Sequence, residues 1–237
     1  MSVTISLLHA SYNRPEKAVK TAMLWLDRAV MRGKVEYILA VNKDDTATKS
    51  AFIMAGLGDK VVSGPFKGSA PAWNAAAQES TGSILVQVSD DFVPPPGWDA
   101  LLYAEMEIAS PWDWDKQPIV MTVSDGHRKD GLLCMAICTR AYYNLDGYFL
   151  HPSFISVFSD DHFTYRALKR EREGTARIVR AEHLVFEHQH PYNEPEKYQL
   201  DATYAHQNRP EAYAVGERLF NELNPGWRES GLATWRK

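Results

Sequence analysis

Gly82-Ser83-Ile84-Leu85-Val86-Gln87-Val88-Ser89-Asp90-Asp91 joins an apolar run to a pair of carboxylates. Ser83 to Val88 is almost wholly apolar, the pattern of a central strand buried on both faces. It stops at two adjacent carboxylates, and Pro94-Pro95-Pro96-Gly97 then breaks the chain. Upstream, Val3 to His9, Val35 to Val41 and Lys60 to Ser63 read as three more strands. Between them, Glu16 to Met31, Thr46 to Gly56 (closed by Gly56 and Gly58) and the Ala-rich Ser69 to Ser80 read as helices. Strands alternating with helices predict an α/β fold, a mostly parallel central sheet flanked by helices.

Downstream the texture is less regular. Asp99 to Ile108 reads as a helix. Ile119 to Val123 and Cys134 to Thr139 read as strands around a charged loop, Ser124 to Gly131. Asp161 to Arg172 is a charged helix, Ile178 to His188 a late strand, and Pro210 to Leu223 an amphipathic helix. We expect one domain over 1–237, with a first half to about residue 110, a second region over 111–209 and a helical tail over 210–237.

Composition excludes several classes. A 24% charged fraction and 11% aromatics belong to a folded chain rather than a disordered one. A net charge of −4 with no basic run gives no reason to expect nucleic acid. No apolar run approaches the ~20 residues of a membrane span, and Met1 to His9 is too short and lacks the basic start of a signal peptide. Cys134 and Cys138 read as core thiols with no disulfide implied, so a cytoplasmic location is expected.

Ligands of open α/β sheets bind beyond the carboxyl ends of the strands. Three such ends carry polar clusters: Ser11-Tyr12-Asn13-Arg14, Asn42-Lys43-Asp44-Asp45 and Ser89-Asp90-Asp91. Parallel strands put all three on one edge. Adjacent carboxylates repel unless a cation lies beside them. Oxygen ligands suit Mg²⁺ or Mn²⁺, held by one or two carboxylates plus substrate phosphates. A solvated Asp pair opening a turn is the plain alternative.

The order of segments resembles the family 2 type of GT-A (Rossmann-like) glycosyltransferases. Ile5 to Pro15 is similar to the family's opening strand and Ser/Thr-Tyr-Asn-Arg turn. Gly68-Ser69-Ala70-Pro71-Ala72-Trp73-Asn74 is similar to its Gly-x-x-x-Ala-x-Asn helix. Gly82 to Asp91 with Pro96-Gly97-Trp98 is similar to its Asp-x-Asp (DXD) segment. The resemblance covers about residues 3 to 190 and implies a nucleotide-sugar donor, a UDP-sugar by preference, Mn²⁺ or Mg²⁺, and a smaller acceptor-side region. It makes Asp91 the metal ligand, with Ser89 in place of the first Asp and Asp90 contacting the ribose or supporting the ion. Asn42, Asp44 and Asp45 would meet base and ribose, Ser11, Asn13 and Arg14 would help bind the donor, Lys67 would meet the diphosphate, and Asn74 would brace the loop beside it.

Phe158-Ser159-Asp160-Asp161-His162-Phe163 with Arg166 resembles the family's Glu-Asp motif at a helix start. A carboxylate there is favoured by the helix dipole. The resemblance makes Asp161 the general base of an inverting transfer and Asp160 an acceptor ligand. Of the late histidines, His190 is the first choice to complete the metal site and His188 the second. Two other readings stay open: a nucleotidyltransferase on a similar sheet, against which the glycine-free first turn counts, and a degenerate sugar-nucleotide-binding module. The acceptor is not identified by the sequence.

Overall fold

Nine strands are described in the computed structural model, which covers residues 4–57 and 60–236; Val3 and Gly58, expected at a strand start and a helix end, lie outside it. They are β1 (Ile5–Ser11), β2 (Val35–Asn42), β3 (Val61–Gly64), β4 (Ile84–Val88), β5 (Phe92–Val93), β6 (Ile119–Ser124), β7 (Ile137–Thr139), β8 (Arg177–Val185) and β9 (Glu187–His188). The main sheet has the order β3-β2-β1-β4-β7-β6-β8. The first four are parallel, as the alternation predicts. β7 alone runs against its neighbours β4 and β6, while β8 pairs parallel to β6.

Side chains alternate across the central strands. Ile5, Leu7, Leu39, Val41, Ile84, Val86 and Val88 face one core. Trp25 of α1 (Pro15–Asp27) and Phe52 of α2 (Thr46–Met54) cover that face. Leu8, Ile38, Ala40 and Leu85 face the other, covered by Ala70, Trp73 and Ala76 of α3 (Ser69–Gln78). Trp98 and Leu102 of α4 (Trp98–Ala109) join the first core. The second takes Tyr142 of α5 (Arg140–Asn144), Phe163 of α6 (Ser159–Arg172), Phe220 of α8 (Pro210–Leu223) and Trp227 of α9 (Trp227–Ser230). Between α6 and α8 lies the short α7 (Ala202–Gln207). α5, α7 and α9 are too short for a helical repeat to show in the sequence.

Three boundaries differ from expectation because distant parts of the chain meet them. α1 stops at Asp27 rather than Met31, because the buried Asp99 carboxylate takes the backbone N–H groups of Val30 (2.9 Å) and Met31 (2.5 Å). The stretch from Cys134 forms a strand only from Ile137; the Gln87 side chain instead accepts the Ala136 N–H (2.9 Å). The late strand breaks at Phe186, beside a register shift at Val123/Ser124, and its continuation leaves the main sheet to pair with β5. Cys138 is buried and Cys134 half-buried, both unpaired; burial pushes both thiols up. No helix among the described residues is long and apolar enough to cross a membrane.

Candidate active site

The chain leaves β1 for β2 and β3 on one side, then crosses to β4 on the other. The switch point therefore lies between the carboxyl ends of β1 and β4, where a doubly wound sheet opens a crevice. Two indoles hold the β4 exit in place: Trp73 Nε1 donates to the Val88 carbonyl (2.9 Å) and Trp25 Nε1 to that of Phe92 (3.1 Å).

Asp90 points into a network rather than into the open. Its carboxylate accepts from His9 Nε2 (2.9 Å), Ser11 Oγ (2.9 Å) and Arg14 (3.4 Å). Tyr37, whose hydroxyl is pushed well up by burial and then by Asp90, keeps its proton, and its oxygen lies 2.8 Å from His9 Nδ1. Arg14 forms a bidentate pair with Asp201 (2.7 and 2.8 Å), the N-cap of α7. Burial raises the Asp201 carboxyl, but Arg14, the Tyr204 N–H and Lys17 outweigh it and hold it far below the usual range.

The second-strand cluster divides. Asp45 is buried, caps α2 through the Thr48 N–H (3.0 Å) and accepts the Asn13 N–H (2.6 Å). It shapes the first turn, where Asn13 takes a left-handed φ of 54°. Asn42 donates to the Phe66 carbonyl (2.8 Å). Asp44 and Lys67 are exposed, with no ion pair among the described residues. Ser89 stands half-buried at the β4 exit. Asn74 is a brace: its Oδ1 accepts the N–H groups of Phe149 and Leu150 (both 2.9 Å) and its amide donates to the Leu150 carbonyl (2.7 Å).

Asp91 differs from Asp90. β5 and β9 form an antiparallel ribbon with Phe92 opposite His188, and their rings stack at 4.2 Å. The ribbon brings His188 Nε2 to 3.4 Å from Asp91 Oδ2, while Oδ1 is buried and has no hydrogen-bond partner among the described residues. Burial raises the Asp91 carboxyl; His188 and then Arg14 and His190 overcome it and hold the group below its usual value. The His190 ring lies 4.8 Å from that of His188, and its Nε2 meets the Tyr204 hydroxyl. Burial, then His188, push His190 down to about 4, so its imidazole is neutral near pH 7. The two candidate histidines thus sit together, with His188 the nearer to Asp91. Among the described residues no three His, Cys, Asp or Glu side chains converge on one point. An orphaned carboxylate oxygen beside an imidazole fits a cation that takes its remaining ligands from a substrate.

A cavity of about 1000 Å³ is lined by His188, His190, Asp160 and Asp161, together with aromatic walls from Phe158, Tyr213 and Trp235. It brings the late histidines and the acid pair into one space. Phe158, at the N-cap of α6, has φ 69°, a strained conformation for an aromatic residue. The acid pair that follows faces two ways. Asp161 Oδ1 accepts from Trp235 Nε1 (2.9 Å) and Arg236 (3.0 Å). Asp160 Oδ1 accepts the Asp161 N–H (3.1 Å) and has no side-chain partner among the described residues; burial first, and then the charge of Asp161, raise its carboxyl to about 7. Asp161, the base that the resemblance implies, is thus held in an ion pair, and Asp160 is the carboxyl of the two that is raised.

Several residues of the site were not singled out in the sequence. His9 showed only as the last residue of an apolar run. Asp125, whose Oδ1 accepts the N–H groups of His127 (2.9 Å) and Arg128 (2.7 Å), was one charge in a charged loop. Asp201, Tyr204, Trp235 and Arg236 reach the site from the far end of the chain.

No family model matches the chain, and no curated protein does. Solved structures match its fold. Residues 1–349 of S. aureus TarS superpose with a TM-score of 0.60 at 13% identity, over 95% of this chain and 72% of that one. The chain spans only 44% of the longer TarS structure. Mannosyltransferase PcManGT from Pyrobaculum calidifontis, in complex with GDP-Man and Mn²⁺, gives 0.59 at 13% identity, over 99% and 85%. Glucosyl-3-phosphoglycerate synthase from Mycobacterium tuberculosis, with Mn²⁺, UDP and phosphoglyceric acid, gives 0.57 at 16%, over 93% and 77%. The chain has the GT-A fold that these glycosyltransferases share.

Proposed function

We propose that this protein is a metal-dependent glycosyltransferase that moves a sugar from a nucleotide-sugar donor, a UDP-sugar by preference, to an acceptor hydroxyl with inversion. The observation that carries this reading is one cavity shared by His188, His190 and Asp160, with His188 also lying beside Asp91 just after β4. The GT-A neighbours, two of them with Mn²⁺ and a nucleotide or nucleotide sugar, support the donor class.

Asp91 and His188 would hold Mn²⁺ or Mg²⁺, with His190 beside them. The ion would supply charge neutralisation for the departing diphosphate. Ser11, Asn13, Asn42, Asp44 and Lys67 border the donor side; Asp90, Arg14 and Asp45 set the shape of its first turn. In place of Asp161, Asp160 takes the acceptor hydroxyl proton. The acceptor oxygen attacks the anomeric carbon from the face opposite the nucleotide, and the bond to the diphosphate breaks with its electron pair leaving on oxygen. A carboxyl near 7 is matched to proton transfer at neutral pH. Holding donor and acceptor in line accounts for much of the remaining rate.

The test is calorimetry of UDP binding with and without Mn²⁺. Wild type is expected to bind more tightly with the ion, and Asp91→Ala to lose that difference. Equal Mn²⁺ dependence in both proteins would sink the metal assignment.

A further inference from the structure

The last described residues make a contact that donor chemistry does not require. Trp235 Nε1 and the Arg236 guanidinium both donate to one oxygen, Asp161 Oδ1. Arg236 also pairs with Glu217 of α8 (3.0 Å). Its guanidinium lies 4.5 Å from the Phe158 ring centroid, 4.6 Å from Phe220 and 5.2 Å from Trp227. Its side chain is 12% exposed and that of Asp161 14%. A cation sandwiched by three rings and anchored on two carboxylates is held in one orientation. The approach is close: a Cβ on Gly216 of α8 would lie 2.8 Å from the Phe158 ring.

Successive residues of a helix point about 100° apart. Asp160 and Asp161 therefore leave the helix in different directions, and only Asp161 meets Trp235 and Arg236. We propose that Trp235 and Arg236 divide the acid pair, locking Asp161 into an ion pair on the cavity wall and leaving Asp160 as the carboxylate that exchanges a proton with the acceptor. Arg236 is a positioning residue: it acts on Asp160 by neutralising the charge next to it. This rests on the reading of Asp160 as the base.

The other charged and titratable groups near Asp160 come from separate elements. Arg128 and Cys134 reach it from the loop between β6 and β7, and Tyr213 from α8. Of these Arg128 is the cation, and it is already paired with Asp130. Removing Arg236 leaves the Asp161 charge bare beside Asp160 and makes ionisation of Asp160 harder.

The experiment follows the Asp160 carboxyl directly, with no substrate needed. Protein labelled with ¹³C at the aspartate carboxyls is titrated by NMR, and the Asp160 signal is assigned by its loss in Asp160→Asn. The Asp160 midpoint in Arg236→Met is expected to rise by about half a pH unit or more, and in Arg236→Lys to return towards wild type. Trp235→Phe, which removes one hydrogen bond and little volume, is expected to give a smaller rise, and it carries the test if Arg236→Met does not fold. An unmoved or lowered midpoint in the folded variants, with or without a lower melting temperature, overturns the proposal. Nucleotide release from UDP-glucose by Asp160→Asn is measured alongside. If that variant keeps wild-type turnover, the base reading fails while the titration still reports on Arg236.

Discussion

Replacing Asp160 by Asn has opposite expected effects on stability and on turnover. The Asp160 carboxyl is raised from the usual 3.8 to about 7 by burial and by the charge of Asp161. Between those values the folded protein holds a proton that the unfolded chain has released. Stability contributed by this group is full below about pH 4, falls as pH rises, and is lost above about 7. At 1.36 kcal/mol per pH unit the interval sets a ceiling of about 4 kcal/mol. Asp160 lines an open cavity, so partial solvation reduces this to about 2 kcal/mol. Asn has no proton to lose. Asp160→Asn should therefore match wild type near pH 4 and exceed it by about 2 kcal/mol at pH 8, by urea unfolding with unchanged slope. The same variant should release nucleotide from UDP-sugars at least about 10²-fold more slowly. A stability difference that stays constant from pH 4 to pH 8 would refute the account of Asp160's environment.

Two further outcomes test how the two halves are joined. Gly68 has φ 114°, and a Cβ there would lie 2.3 Å from the Ile155 carbonyl oxygen. Gly68→Ala should cost at least about 2 kcal/mol in thermal or urea unfolding. Asn74→Ala strands the N–H groups of Phe149 and Leu150 and should cost about 2–4 kcal/mol; a neutral result would mean the 149–150 loop finds other partners.

The fold places Asp91 beside the late histidines that the sequence singles out. His188 lies nearer to it than His190, because β9 pairs with β5 in a register that sets His188 opposite Phe92. That register follows the break at Phe186, a tertiary event with no local signal. Asp45 and Asn74 carry the residue types of ligand-binding positions, yet their oxygens are taken up by backbone N–H groups. Residue type in a polar cluster does not say which partner arrives first.

The β-α-β-α-β-α-β core, and the edge on which Ser11, Asn42 and Asp91 stand, are legible in the chain's own pattern. Those follow from short-range patterns: apolar runs of strand length, turn residues at their ends, and helices between. The different surroundings of the two members of each acidic pair arise only from long-range packing. Asp90 is drawn into His9, Ser11 and Arg14 while Asp91 keeps an unpartnered oxygen. Asp161 is claimed by Trp235 and Arg236, more than 70 residues away in the chain, while Asp160 faces the cavity. Neighbouring residues share composition and local pattern but point in different directions, so their roles are set by whichever distant side chains pack against each one.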